Sequence, residues 1–268
     1  MTDPGRDPAS ATDSAGRPWA GRELTPNPFA GDDGSVQPAL AAALATAEPD
    51  RLVAVVEALR QARVMVPVVA HEHPGQADDG SVAAHAVSRF RSGDRTGDAM
   101  ASAALVSVRT PDGRAAIPAF SSVRTLAAWD ATARPVPVEA TRAALSAVQD
   151  ADSLLVLDPG NEPTVLIPRP AVWALGRGEE WTPSWADPDL PGIAVSALRG
   201  ITELVGVRLE RGGKAELRVR LAVRPGLDAQ ALRDALGRAS QALSEEPTFR
   251  ERVDSLELAP QAVEAEES

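Results

Sequence analysis

The chain has 268 residues, and its 38 Asp and Glu against 27 Lys and Arg give a formal net charge of -11. This charge argues against general nucleic-acid binding, because phosphate attraction needs a basic surface. The absence of cysteine excludes disulfides, thiolate catalysis and cysteine-ligated zinc.

The sequence predicts neither a signal peptide nor a membrane-spanning helix. The first residues contain no apolar core of signal-peptide length, and no later run approaches the roughly 20 apolar residues of a membrane helix. We therefore expect a cytoplasmic protein without a membrane partner.

Residues 1–36 predict a disordered arm, because they are rich in Pro, Gly, Asp, Ser and Ala and their large apolar residues are scattered. The end of this arm, Asn27–Gly34, either stays solvated or docks on the folded body or on a partner.

Two helices and a strand should follow the arm. Leu40 and Leu44 lie four apart on an alanine-rich segment that begins at Pro38. Asp50 can cap a second helix, and the apolar positions of that helix fall on one face: Leu52, Val55, Val56 and Leu59. The β-branched run Val64–Ala70 has the length of a buried strand.

Residues 71–99 form a long polar stretch with several glycines. A loop of this length is unusual inside a compact domain, so it is expected to be mobile, functional or an insertion. In an extended backbone, His71 and His73 point the same way, and Asp78 or Asp79 could complete a metal shell. The other interpretation is that these are solvated loop histidines, and it is preferred because no third ligand is fixed by spacing. We predict neither a metal nor a cofactor.

The central stretch, Leu105–Trp129, predicts a hairpin followed by a helix. A β-prone run ends at the turn Thr110–Gly113, where Pro and Gly suit the turn angles. The return strand, Arg114–Phe120, contains Pro118, which cannot donate to a ladder and so predicts an edge or a strand end. Either Ser121 or Ser122 can cap the helix, whose apolar side is Val123, Leu126 and Trp129.

This pattern resembles the N-terminal domain of the SseB family, named for enhanced serine sensitivity. The similarity lies in the DGR turn at 112–114, IPAFSS at 117–122 and LAAW at 126–129. The resemblance implies a link to serine sensitivity in bacteria, which is a phenotype and names no ligand.

The elements after the central helix extend the resemblance to about residues 37–176. Pro135–Val138 is extended, and residues 139–150 predict a helix with Ala144, Leu145 and Val148 inward. A buried-type strand, Ser153–Leu157, turns at Asp158–Asn161 into a short strand. Pro170 suits the first turn of a helix that holds Val172, Trp173 and Leu175.

Residues 177–192 are rich in Gly and Pro and predict a linker. Its two tryptophans, Trp181 and Trp185, either anchor a partner or pack between the two domains. With Phe120 and Trp129, they are our candidates for a partner-binding surface.

Residues 193–260 predict a second domain, similar in layout to the SseB C-terminal domain, and residues 261–268 an acidic tail. The expected order is a helix at Gly192–Arg199, two strands, a helix capped by Asp228, and a last strand. The strand residues expected to face the core are Val205, Val207, Leu209, Leu217, Val219, Leu221, Val223, Leu256 and Leu258.

The opposite face of that sheet is predicted to carry Arg208, Arg218 and Arg220 with Glu216. These arginines could form an anion or RNA platform. A solvated sheet face is preferred, because no aromatic residues alternate with them for base stacking.

No catalytic motif is present. The serines lack a G-x-S-x-G elbow, and there is no phosphate loop, no G-x-G-x-x-G and no H-E-x-x-H. The sequence therefore favours an α+β protein of two small mixed or antiparallel sheets with helices on one face. Its expected function is non-catalytic interaction or regulation through an unknown protein partner. The alternative is a metal-dependent small-molecule enzyme or binder that uses residues 71–99.

Overall fold

A computed structural model describes residues 28–68 and 106–262. The histidines, most of the predicted arm and residues 263–268 therefore lie outside the described residues. The chain divides into two compact units, residues 1–33 and 34–268. In the first unit, the described residues make a turn in which the Asp32 N–H donates to the Phe29 carbonyl at 3.0 Å.

The second unit is α+β, as predicted. Its helices are α1 Pro38–Ala45, α2 Arg51–Leu59, α3 Val123–Trp129, α4 Ala140–Asp150, α5 Arg169–Arg177, α6 Leu190–Leu198, α7 Ala229–Glu245 and α8 Pro247–Arg252. Its strands are β1 Arg63–Val68, β2 Val108–Arg109, β3 Ala115–Ala119, β4 Arg134–Glu139, β5 Leu155–Leu157, β6 Val165–Ile167, β7 Leu204–Arg211, β8 Leu217–Val223 and β9 Leu256–Ala262. A short 3₁₀ helix, Ser184–Ala186, lies in the predicted linker.

The described strands form three sheets with the orders β1-β4, β2-β3-β5-β6 and β7-β8-β9. Backbone bonds between Met65 and Phe120, at 2.8 and 2.9 Å, join β1 to the end of β3. The strand β3 is internal to its sheet rather than at an edge. Pro118 is its penultimate residue, beyond the two residues paired with β2, so the missing N–H costs no ladder bond there.

The largest hydrophobic cluster is built from α1, α2, α4, α5 and the strands that they cover. Its fully buried large side chains include Leu40, Leu59, Ile117, Leu155, Leu157, Ile167 and Leu175. The helix α4 and the burial of Ala144 are confirmed, but the inward orientation predicted for Leu145 and Val148 was wrong, because these residues are 46% and 41% exposed. The buried side of α4 is made of alanines instead: Ala140, Ala143, Ala144 and Ala147. Small side chains let α4 approach its neighbours closely, so its larger residues are left outside.

A second cluster lies between the β7-β8-β9 sheet and helices α6, α7 and α8. Buried and more exposed side chains alternate along β8, as predicted, and its buried residues are Leu217, Val219, Leu221 and Val223. The predicted alternation fails at the start of β7. The register with β8 shifts between Leu204 and Gly206, and Val205 is 53% exposed. A bulge of this kind reverses the side-chain direction. The strand β9 runs parallel to β8, so the sheet is mixed rather than antiparallel.

Gly34–Val36, at the end of the predicted arm, belongs to the second unit. The Gly34 carbonyl accepts from the Val123 N–H at 2.9 Å, at the start of α3. A Cβ on Gly34 would lie 2.6 Å from the Val123 Cγ2, and its φ is +78°, so only glycine fits there. Val36 packs against the first cluster.

Candidate functional site

The DGR turn is held by its own polar side chains. The Thr110 hydroxyl and the Arg114 guanidinium both donate to Asp112, the Arg114 bond at 2.6 Å. The hydrogen bond from Thr110 is the main reason that the pKa of Asp112 lies below its usual range. Gly113 has a φ of +85°, which the turn requires and which glycine adopts without strain.

Arg114 also connects the turn to the C-terminal part of the chain. Its two terminal nitrogens reach the two carboxylate oxygens of Asp254 at 2.8 and 3.0 Å. The side chain of Asp254 is 3% exposed and that of Arg114 is 29% exposed. A bidentate pair of this kind is the strong form of a charged hydrogen bond, and it raises the pKa of Arg114 above its usual value.

Glu216, the residue before β8, extends this network. It accepts a 2.8 Å bond from the Ser184 hydroxyl and another from the Asp254 N–H. Burial raises the pKa of Glu216, and the nearby Asp254 charge acts in the same direction. The sequence predicts Glu216 on the same face as the sheet arginines, but its carboxylate accepts hydrogen bonds from the Ser184 hydroxyl and the Asp254 N–H instead.

Replacing Glu216 with Gln is expected to stabilise the protein at pH values well above the Glu216 pKa. The Gln oxygen can accept from the Asp254 N–H while its NH₂ donates to Ser184 Oγ, so both bonds are kept without the buried charge. A carboxyl whose pKa is raised by folding destabilises the folded state when it is ionised. This loss of unfolding free energy disappears as the pH falls below the pKa of the carboxyl. The gain in unfolding free energy from Glu216→Gln should therefore shrink as the pH falls. Denaturant unfolding over a pH series measures this gain. An advantage that grew as the pH fell would contradict the assignment.

Trp181 and Trp185 contact each other edge to face, with ring centroids 6.1 Å apart. Trp181 packs against the first hydrophobic cluster and Trp185 against the second. The Arg211 guanidinium lies 4.5 Å above the Trp185 ring and donates to the Pro49 carbonyl before α2. The pair therefore bridges the two clusters. A role of these tryptophans in partner binding stays a prediction.

Phe120 and Trp129 occupy a small cluster of their own, with ring centroids 5.3 Å apart. Phe120 is fully buried, so its side chain is not available to a partner, and this part of the predicted partner surface is corrected. Trp129 is partly buried in the same cluster.

The two serines of the family pattern have separate structural roles. Ser122 caps α3, accepting from the Thr125 N–H at 3.1 Å, while the Thr125 hydroxyl accepts from the Ser122 N–H. The Ser121 N–H donates to the buried Asp158 at 2.8 Å, and the Ser121 carbonyl accepts from the buried Arg63 guanidinium at 2.8 Å.

On the face of the β7-β8-β9 sheet that points away from the helices, every residue of the three strands is exposed or partly exposed. In register across the three strands it carries Gly206, Ala222 and Gln261, then Arg208, Arg220 and Ala259, then Glu210, Arg218 and Glu257. We call this surface the open face. Arg218 is paired with Glu257 at 2.8 Å and with Glu210 at 3.5 Å, so one end of the face is neutralised.

The other end of the open face contains a shallow depression of about 300 Å³. Gly206 and Ala222 form its small-residue floor, and a Cβ on Gly206 would lie 3.4 Å from that of Ala222. Arg208, Arg220 and Gln261 also line it. The sequence indicated the arginines, but the depression depends on which residues the register aligns.

The predicted metal ligands His71, His73, Asp78 and Asp79 lie outside the described residues. Within residues 28–68 and 106–262, no group of three or more His, Cys, Asp or Glu side chains could hold a metal ion. No helix in the same part of the chain is long and apolar enough to cross a membrane.

The described residues thus define an α+β protein. Its DGR turn is bonded to the C-terminal part of the chain through Arg114 and Asp254, and its last sheet has the open face. The family profile described as SseB protein N-terminal domain matches residues 36–174, more than half of the chain. The chain belongs to the SseB family. No curated protein and no solved structure shows a significant match.

Proposed function

We propose that this chain is a non-catalytic cytoplasmic protein that acts by binding a protein partner through the open face. The observation that carries the proposal is the open face itself. Its other side is covered by three helices, while this side presents arginines, small residues and a depression to the surroundings. Exposed arginines of this kind suit complementary acidic groups of a partner.

The arrangement of ionisable groups at the junction also supports a binding role. Arg114, Asp254 and Glu216 meet there, but each is occupied by hydrogen bonds that connect the DGR turn to the C-terminal part. A general acid or base must reach a substrate, whereas these groups reach each other and the backbone.

The family membership supplies the biological context of the proposal. We infer that the chain shares the link to serine sensitivity for which the family is named, in a bacterial cytoplasm. We also infer that residues 193–260 correspond to the SseB C-terminal domain. Their order of helix, two strands, two helices and strand supports this correspondence, with one helix more than the sequence predicts.

Affinity capture from the native lysate tests the proposal when the open face is changed. The variant is Arg208→Glu with Arg220→Glu, and the control is Arg142→Glu with Arg233→Glu, which makes the same charge change at exposed positions on α4 and α7. We expect a specific partner on the wild type and the control and about a tenfold loss on the open-face variant, typical of disrupted interfacial charges. Recovery of one partner by all three proteins would reject this surface. Absence of any specific partner would reject the binding function.

A further inference from the structure

We propose that β7 is a dimerisation edge, at which β7 of a second copy of this chain adds antiparallel and Arg208 of each copy pairs with Glu210 of the other. This inference goes beyond the proposed function, because it concerns the edge of the last sheet and not its open face. Among the described strands, β7 is hydrogen-bonded to β8 alone. Its other edge can therefore accept a further strand.

The hydrogen-bond pattern shows which residues of β7 face this edge. The Gly212 N–H donates to the Glu216 carbonyl at 3.0 Å, at the turn that joins β7 to β8. Bonding to one neighbour alternates along an antiparallel strand, so the even-numbered residues from 206 to 212 bond β8. Val207, Leu209 and Arg211 direct their backbone N–H and C=O groups to the outer edge. These groups have no partner outside the sheet among the described residues.

The opposite edge of the same sheet is blocked by a proline. The Leu217 N–H donates to the Ser255 carbonyl at 3.1 Å, so the odd-numbered residues of β9 bond β8 in the parallel ladder. Pro260 lies between two of them and faces the outer edge, where it has no N–H to donate. In contrast, β7 contains no proline and keeps its register from Gly206 to Arg211. The sheet therefore has one protected edge and one edge suited to pairing.

A two-fold axis at Leu209 is the register that fits both the backbone and the charges. The edge-facing residues then form hydrogen-bonded pairs, with Leu209 opposite its own counterpart and Val207 opposite Arg211. Arg208 lies opposite Glu210 in the intervening pairs, where side chains approach most closely. An axis one residue away places Arg208 opposite Arg208 or Glu210 opposite Glu210, and such like charges destabilise a sheet. An axis at Val207 or Arg211 leaves both charges without an opposite one.

The two charged side chains are accessible for this contact. Arg208 is exposed and has no ion pair with any described residue. The Glu210 side chain is 31% exposed, and its contacts with Arg218 and Arg220 are both 3.5 Å. These contacts are longer than the roughly 2.8 Å of a strong charged hydrogen bond. The second copy thus supplies the acidic partner that Arg208 lacks within its own sheet.

The dimer would join the two sheets edge to edge in an isologous contact, in which the same patch serves both copies. A two-fold axis perpendicular to the sheet keeps the two open faces on the same side. A partner with two binding segments would then contact both copies, and the second segment would bind at a high effective concentration.

Sedimentation of complementary charge variants tests the proposal. Arg208→Glu alone and Glu210→Arg alone each bring like charges together, so each variant should dimerise about tenfold or more weakly than the wild type. An equal mixture of the two variants restores attraction at both pairs and should form heterodimers about as tightly as the wild type. The control is Arg142→Glu, an exposed position on α4, which should leave dimerisation unchanged.

Three sedimentation results would overturn the proposal. The first is a wild type that stays monomeric over the concentration series. The second is a dimer that both single variants retain. The third is a mixture that stays monomeric although both variants unfold as cooperatively as the wild type.

Amide hydrogen exchange tests the contact in the wild type, without relying on a variant that has to fold. Where the wild type sediments as a dimer, the amides of Val207, Leu209 and Arg211 should exchange about tenfold or more slowly than that of Gly226, which lies in an exposed turn. Exchange of the β7 amides as fast as that of Gly226 would place the contact elsewhere and reject the β7 edge. Neither measurement includes another protein, so the outcome is independent of the partner capture.

Discussion

Replacing Phe120 with alanine is expected to lower the free energy of unfolding by about 3 to 5 kcal/mol, the range for removing a buried aromatic ring. Phe120 is completely buried, and its ring packs against Trp129. Its backbone also joins β3 to β1 at Met65, so the cavity would open where two sheets meet. Collapse around that cavity is limited because backbone bonds hold both sides.

Denaturant unfolding followed by tryptophan fluorescence measures this effect, since Trp129 reports directly on the site. The matched control is Val195→Ala on α6, where the side chain is 51% exposed and alanine favours the helix. The control should change the unfolding free energy by about 0.5 kcal/mol or less. A loss at Phe120 no larger than that of the control would mean that the ring is not a core residue.

Replacing Arg114 with alanine is expected to lower the free energy of unfolding by about 2 to 3 kcal/mol. Asp254 is nearly inaccessible to solvent, so removal of Arg114 leaves a buried carboxylate without its cation. The loss stays below that of a fully buried pair because Arg114 is partly exposed and solvent screens its charge. Arg109→Ala is the control, because Arg109 lies on the same hairpin, is exposed, and its side chain bonds only the Gly113 carbonyl among the described residues.

A double-mutant cycle with Asp254→Ala identifies the cause of this loss. If the pair acts as one unit, the double variant should lose little more than either single variant, since each change already breaks the contact. Additive losses would show that Arg114 and Asp254 contribute independently. The cycle then would not support the DGR turn as the connection to the C-terminal part.

The arginines of the last sheet show how local and tertiary information combine. Alternation in the sequence placed Arg208, Arg218 and Arg220 on one face, which the pairing confirms. It could not distinguish their environments. Arg218 is neutralised by Glu257 from β9 and Glu210 from β7, while Arg208 is left unpaired among the described residues. That difference arises from the register of three strands.

The sequence by itself determined the local elements and the family. The Thr110–Gly113 turn, the Ser122 and Asp228 caps and the buried residues of β8 all follow from steric and hydrogen-bonding preferences within a few residues. The same local pattern, from the DGR turn to Trp129, was enough to indicate the SseB family, which the profile match confirms.

Only the tertiary structure decided which faces are buried and which distant residues meet. In α4, alanines face the core and Leu145 is exposed, because close packing favours small side chains there. Arg114 and Asp254 are 140 positions apart, and no periodicity relates them. Such a pair forms because two separately packed clusters bring the residues together, which is why chain order alone could not predict it.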